Sequence, residues 1–156
     1  MPVWNFGCGM TNFNGAKLVT GFNLPLHLST LICIAVDEAS RYRYHYHGNY
    51  MSSLSWKCGL LLTGALFCFL GYFIAGIGLV KSSHKVLFGS LAIIGFGALL
   101  FTTGLCGTVS FFHFIIIPFI IYYLTLQVWS WCLIFGTALE TMSSPTSPKD
   151  GPILLQ

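Results

Sequence analysis

Three polar side chains fall inside otherwise apolar stretches and are the first candidates for chemistry: His27, His113 and Gln127. Polar side chains at membrane depth mark substrate paths, proton relays or hydrogen bonds between helices. A neutral histidine can also bond to a backbone carbonyl or to a serine on a neighbouring helix. These residues therefore predict either structural hydrogen bonds or a polar path for transport, with metal binding as a further alternative.

A second candidate is the segment of residues 41–50, RYRYHYHGNY, in which residue types alternate with a period of two. As a strand it would have a cationic face and an aromatic face, whereas a helix would mix the two. Tyrosine beside arginine suits a bilayer interface, where phenols lie at headgroup depth and guanidinium groups meet phosphates. We interpret the segment as an interfacial loop, with partner binding or metal or haem ligation as alternatives. The loop residues are Arg41, Tyr42, Arg43, Tyr44, His45, Tyr46 and His47.

Motifs of the common enzyme classes are absent from the sequence. It contains no G-x-S-x-G, no H-E-x-x-H, no Walker loop and no C-x-x-C. Six cysteines are present, but their spacing matches no zinc site. The four acids lie at the ends of apolar stretches or near the C-terminus, and none forms an acid/base pair by spacing. We therefore expect a non-enzymatic protein with no cofactor and no metal.

Composition sets the class of protein. Of the 156 residues, 55% are hydrophobic and only 7% are charged. Four acids and seven bases cannot cover the surface of a soluble domain. The bases are scattered, with no basic helix face or arginine-rich run, so a nucleic-acid partner is not expected. The composition predicts an integral membrane protein whose first partner is the lipid bilayer.

Four apolar stretches are long enough to cross a bilayer, at residues 18–36, 60–80, 86–106 and 111–139. We expect an all-α membrane protein with a four-helix transmembrane bundle. The first stretch contains Asn23, Pro25 and His27, so three spans plus a re-entrant segment is the alternative. Pro118 is expected to bend the last span.

The apolar stretches divide the chain into a polar N-terminal segment (1–17), a transmembrane domain (18–139) and a disordered C-terminal tail (140–156). Basic residues near the span ends favour both termini on the cytosolic side. Endomembrane and plasma membrane both remain open.

Small residues recur every seven positions in two adjacent spans. In the second span Gly64, Gly71 and Gly78 follow this spacing, and in the third Ser90, Gly97 and Gly104 do. Lipid is as apolar as leucine, so membrane helices associate by close packing, which small residues allow. The short connection between the two spans makes them antiparallel neighbours. We predict that the stripes pack together; with Cys68 and Ala75 they form the helix-packing residues.

The tail carries a short linear pattern, in which Asp150, Leu154 and Leu155 have the layout of an acidic dileucine sorting signal. The spans and the glycine spacing resemble those of claudin-type and other tetraspan proteins. The W-x-x-G-L-W…C…C signature of claudins and the C-C-G motif of tetraspanins are absent, so the sequence assigns no family.

These observations predict a small multi-pass membrane protein that acts as an interaction or accessory subunit. Its partner would be another membrane protein or a further copy of itself. The alternative is a small transporter or channel subunit with a polar path near His27, His113 and Gln127.

Overall fold

The structure is a computed structural model and describes residues 11–45, 56–108 and 113–143. These ranges form four α-helices: α1 (Asn12–His45), α2 (Trp56–Val80), α3 (His84–Thr108) and α4 (His113–Ser143). Each helix contains a segment long and apolar enough to cross a membrane: Asn12–Asp37, Trp56–Val80, His84–Gly107 and Ile120–Ser143. The prediction of an all-helical chain with four helices of this length and composition is confirmed for the described residues.

The first helix begins earlier than the predicted span, and the reason is local. Thr11 caps it: the Thr11 Oγ1 accepts from the backbone N–H of Asn14 at 3.3 Å, and the Thr11 carbonyl accepts from Gly15 at 3.0 Å. Residues 12–17, assigned by sequence to the polar N-terminal segment, are therefore helical. The helix continues past Pro25 without a break, so this stretch is one long helix and not a re-entrant turn.

A tight connection joins α2 to α3. Ser82 has a left-handed backbone with φ of 49°. The N–H of Ser83 reaches back to the carbonyl of Gly78 at 3.0 Å, and the N–H of Ser82 reaches Leu79 at 3.4 Å. These are the bonds of a Schellman motif, which satisfies the last carbonyls of a helix. The two helices therefore reverse direction within three residues and lie side by side.

The helices form a closed ring of contacts in which α1 packs on α2 and α4, and α3 packs on α2 and α4. Neighbours in the ring run antiparallel, because the residues in contact rise in number along one helix as they fall along the next. The buried apolar core draws on all four helices, and its largest fully buried side chains are Val19, Tyr72, Leu87, Ile94, Leu133 and Ile134.

Glycines of α2 lie directly against α3. A Cβ added to Gly71 would lie 2.6 Å from Cγ1 and 3.0 Å from the backbone nitrogen of Ile94. A Cβ on Gly64 would meet the backbone of Phe101, and one on Gly78 would lie 2.9 Å from Cδ2 of Leu87. At Gly64 and Gly71 only glycine permits this approach, because the backbone of α3 itself would lie within 3.0 Å of the added Cβ.

Glycines of α3 face α2 in the same way. A Cβ on Gly97 would lie 2.6 Å from the backbone nitrogen of Cys68, and one on Gly104 would lie 2.8 Å from Cγ of Leu61. Each glycine thus faces a larger residue of the other helix rather than another glycine. We call this contact the glycine seam. Cys68 belongs to it through Gly97, and the other predicted helix-packing residues, Ala75 and Ser90, are fully buried.

Candidate functional site

A buried polar network connects three helices near the middle of their length. Asn23 and His27 lie one turn apart on α1, Tyr72 lies on α2, and Gln127 and Ser130 lie three residues apart on α4. Their exposed fractions are 0% to 4%. Spacings of three and four residues place each pair on one face of its helix, so both faces point into the ring.

Gln127 is the centre of the network. Its Oε1 accepts a hydrogen bond from the hydroxyl of Tyr72 at 2.7 Å. Its Nε2 lies 3.2 Å from Nε2 of His27 and 3.5 Å from Oδ1 of Asn23. One side chain of α4 therefore binds α1 and α2 together. Buried polar groups have no water to bond to, so they are stable in an apolar surrounding only when they bond to one another.

Asn23 connects the network to the backbone. Its Nδ2 donates to the carbonyl of Val19 on the preceding turn at 2.8 Å and to Oγ of Ser130 at 3.3 Å. With its Oδ1 facing Gln127, both ends of the Asn23 amide are engaged. The side chain is thereby held in one orientation.

Aromatic rings surround His27. The imidazole stacks on Tyr72 with ring centroids 5.7 Å apart and an angle of 16° between planes. Phe101 and Tyr123 approach nearly at right angles, with centroids at 6.3 Å and 6.2 Å. The Tyr123 hydroxyl lies 3.8 Å from Sγ of Cys68. His27 therefore contacts all three other helices, and 1% of it is exposed.

Two buried polar atoms have no hydrogen-bonding partner among the described residues, Nδ1 of His27 and Oγ1 of Thr20. The two differ in how easily they could be paired. Six other threonines of the described helices bond their hydroxyl to the carbonyl four residues earlier, and Thr20 could do so by rotation about χ1. The Nδ1 of His27 has no such local bond, and the ring is held in place by the contact of its other nitrogen with Gln127.

A separate polar contact joins the start of α1 to the end of α4. Nδ2 of Asn12 donates to Oε1 of Glu140 at 2.6 Å. Asn12 is 1% exposed although it stands at a helix end. This contact fixes the two helices to each other about three turns from the central network.

The structure describes some of the site residues predicted from the sequence and not others. Residues 41–45 of the predicted interfacial loop continue α1 as helical backbone. Tyr46 and His47 lie outside the described residues, as do Asp150, Leu154 and Leu155 of the sorting pattern. His113 is the first residue of α4, and Pro118 lies within that helix with an exposed side chain.

Of the polar candidates, the structure brings His27 and Gln127 together. Sequence reasoning missed Tyr72 and Ser130. It considered Asn23 only as a polar residue that makes a membrane span less favourable. One signal could have found Asn23 and Ser130, because Asn23 with His27 and Gln127 with Ser130 are polar pairs one turn apart in apolar helices. That signal does not include Tyr72. Among the described residues, no three of His, Cys, Asp and Glu lie close enough to hold a metal ion.

Known proteins offer no guide to this arrangement. No family model, no curated protein and no solved structure matches the chain.

Proposed function

We propose that this chain is a small multi-pass membrane protein acting as a non-enzymatic accessory subunit, which binds another membrane protein or a further copy of itself. The four helices are long and apolar enough to cross a membrane. Large apolar side chains cover their outer faces, among them Phe22, Phe73, Phe96, Leu99, Ile121 and Val128. Such a surface is stable against lipid tails or against the apolar face of another helix.

The observation that carries the proposal is the engagement of the interior polar side chains with one another. Tyr72 bonds to Gln127, and Asn23 bonds to both Gln127 and Ser130. A path for ions or substrates needs polar groups that face a water-filled cavity. A network whose hydrogen bonds run from helix to helix instead holds a scaffold together, which favours the outer surface as the place where the protein meets its partner.

Two glycines on the outer surface support contact with a further helix. Gly21 on α1 and Gly89 on α3 are exposed, and a Cβ added to either would meet nothing within 4 Å. They differ in this from the glycines of the seam, whose space is filled by the neighbouring helix. Small residues on an outer face let a second helix approach closely.

The test is affinity purification of the full-length chain from native membranes in mild detergent, with identification of the proteins that remain bound. Gly21→Leu and Gly89→Leu place bulk on the outer faces without touching the interior. We expect one of them to release the partner or the second copy while the chain stays folded. Leu62→Ile, at an exposed position that is already bulky, is the matched control and should change nothing.

Two results would contradict the proposal. One is a chain that purifies alone and as a monomer from its native membrane under every mild condition. The other is a bound protein that is retained equally by wild type, by both leucine variants and by the control, since binding would then not involve the outer faces that carry Gly21 and Gly89.

A transporter or channel subunit is the second candidate, favoured by the position of polar side chains at the centre of the ring. It predicts flux across liposomes containing the purified chain. Gln127→Leu, which removes the centre of the network, should abolish that flux, and so should His113→Ala, at another residue of the predicted polar path. Liposomes that remain tight in the presence of folded protein would favour the accessory role.

A further inference from the structure

A backbone carbonyl determines which atoms of the central network donate hydrogen bonds and which accept them. The Val19 carbonyl can only accept, so the atom of Asn23 that lies 2.8 Å from it must be the amide nitrogen. The Asn23 amide therefore cannot be reversed. Its oxygen is the end that faces Gln127.

The orientation of Gln127 follows. The atom that faces Oδ1 of Asn23 must be a donor, so it is the Gln127 nitrogen. The Gln127 oxygen is then the acceptor for the Tyr72 hydroxyl, at 2.7 Å. In this orientation the nitrogen of Gln127 donates and its oxygen accepts. In the reversed orientation the Gln127 oxygen would face the Asn23 oxygen, and neither could donate.

The tautomer of His27 is the last consequence. The same Gln127 nitrogen lies 3.2 Å from Nε2 of His27 and donates to it, so Nε2 is unprotonated. In the neutral imidazole the proton is then on Nδ1. That N–H is buried, and it has no partner among the described residues.

We infer that the centre of the helix ring contains a binding position for one small neutral hydrogen-bond acceptor, held by the Nδ1–H of His27. The ligand is a water molecule or a small organic molecule that presents a carbonyl, ether or hydroxyl oxygen. Buried donors in folded proteins are paired almost without exception, which makes an unpaired N–H a position for an acceptor.

The surroundings restrict the ligand in charge and size. Asn23, Tyr72, Tyr123 and Gln127 carry no formal charge, so an anion would be buried without a counter-charge. A donor N–H also repels a cation. The ring centroids of Tyr72, Phe101 and Tyr123 lie 5.7 to 6.3 Å from that of the imidazole, and this crowding favours a ligand of a few atoms.

The test is nitrogen-15 NMR of the histidine in the full-length chain reconstituted in lipid nanodiscs. Replacing the other histidines by glutamine (His45, His47, His84 and His113) leaves His27 as the only labelled imidazole without altering the network. We expect a protonated Nδ1 whose shift is that of a hydrogen-bonded N–H, and an unprotonated Nε2. In Gln127→Leu the donor to Nε2 is gone, and we expect the fixed tautomer to be lost.

Two arms of the same preparation identify the acceptor. Transfer of magnetisation from water protons to the Nδ1–H indicates bound water. Native mass spectrometry that shows a small molecule bound to wild type and absent from His27→Phe indicates an organic ligand. A protonated Nε2 in wild type, or an Nδ1–H with neither water transfer nor a bound molecule, would overturn the inference.

Discussion

Individual polar residues decide how the interior of this chain is built. Gln127 uses both ends of one amide to reach α1 and α2, and Asn23 uses its own amide to reach a backbone carbonyl and α4. In an apolar surrounding each such atom is costly unless it is paired. The network therefore selects one arrangement of the helices, because a rotation of α1 or α4 would leave these groups without partners.

The first prediction concerns Gln127→Leu. Leucine has a similar size but leaves the Tyr72 hydroxyl, the Asn23 oxygen and Nε2 of His27 unpaired. We expect the free energy of unfolding to fall by about 1–3 kcal/mol, the cost of buried groups that lose their partners. The measurement is denaturant-induced unfolding in detergent micelles.

The matched control is Thr125→Val on the same helix. The Thr125 hydroxyl is exposed and bonds only to the Ile121 carbonyl of its own helix, at 2.8 Å. Its loss should change the free energy of unfolding by less than about 0.5 kcal/mol. A double-mutant cycle of Tyr72→Phe with Gln127→Leu should show coupling near the ~0.6 kcal/mol average of membrane-protein hydrogen bonds. Equal effects of Gln127→Leu and Thr125→Val would contradict a structural role for the network.

Helices α2 and α3 pack together through the fit of their facing surfaces. The two helices of the glycine seam run antiparallel. Moving three or four residues forward along α2 therefore corresponds to moving the same number of residues back along α3. Gly71 faces Ile94, and Gly97 faces Cys68, so large residues of one helix occupy the gaps left by small residues of the other. Close packing of this kind is the main source of attraction between helices in lipid.

The second prediction compares one chemical change at two positions. Gly71→Ala adds a methyl group that would lie 2.6 Å from Ile94, and the α3 backbone is close behind it. We expect a loss of about 1–3 kcal/mol in the free energy of unfolding, the usual cost of overpacking. Gly89→Ala adds the same methyl group where nothing lies within 4 Å, and it should be neutral or stabilising by up to about 1 kcal/mol.

Thermal and denaturant unfolding of the two alanine variants in the same detergent decide this prediction. Gly71→Leu should be worse than Gly71→Ala, because a larger side chain must push α2 and α3 apart. If Gly71→Ala and Gly89→Ala unfold at the same denaturant concentration as wild type, the seam does not hold the two helices together.

At the scale of the whole molecule, the ring closes where α1 meets α4. Asn12 and Glu140 are 128 residues apart in sequence and bond at 2.6 Å. Helices α2 and α3 are joined by a short turn, whereas α1 and α4 come together only through the completed fold. Contacts between them therefore report on assembly of all four helices.

The third prediction is that Asn12→Ala loosens this closure. The variant removes a buried donor from Glu140, and we expect the free energy of unfolding to fall by about 1–3 kcal/mol. Glu140→Gln keeps the acceptor oxygen and should lose less. Asn14→Ala, at an exposed asparagine two residues away, is the control and should remain within about 0.5 kcal/mol of wild type. An Asn14→Ala effect as large as that of Asn12→Ala would exclude this explanation.

The fourth prediction concerns topology. If all four helices cross the membrane, an even number of crossings places residues 1 and 156 on the same side. Protease protection of epitope tags fused to each end, in sealed vesicles, should give the same result for both tags. Opposite accessibility of the two tags would mean that one of the four helices does not cross, and α1, with its buried Asn23 and His27, would be the first to re-examine.

The sequence alone determined the class of fold, because apolar length and helical periodicity are local properties of the chain. It also predicted where small residues recur in α2 and α3, since spacing can be read directly. It misjudged the start of α1, because the Thr11 cap lies in a stretch of polar composition.

Only the tertiary structure decided which residues meet. Tyr72 and Gln127 are 55 residues apart, and no local pattern connects a tyrosine in one helix with a glutamine in another. The register of the seam, in which glycines face Ile94, Phe101 and Leu87, likewise depends on how far one helix slides along its neighbour. Hydrogen bonding and close packing act between surfaces, so their partners are set when the four helices come together.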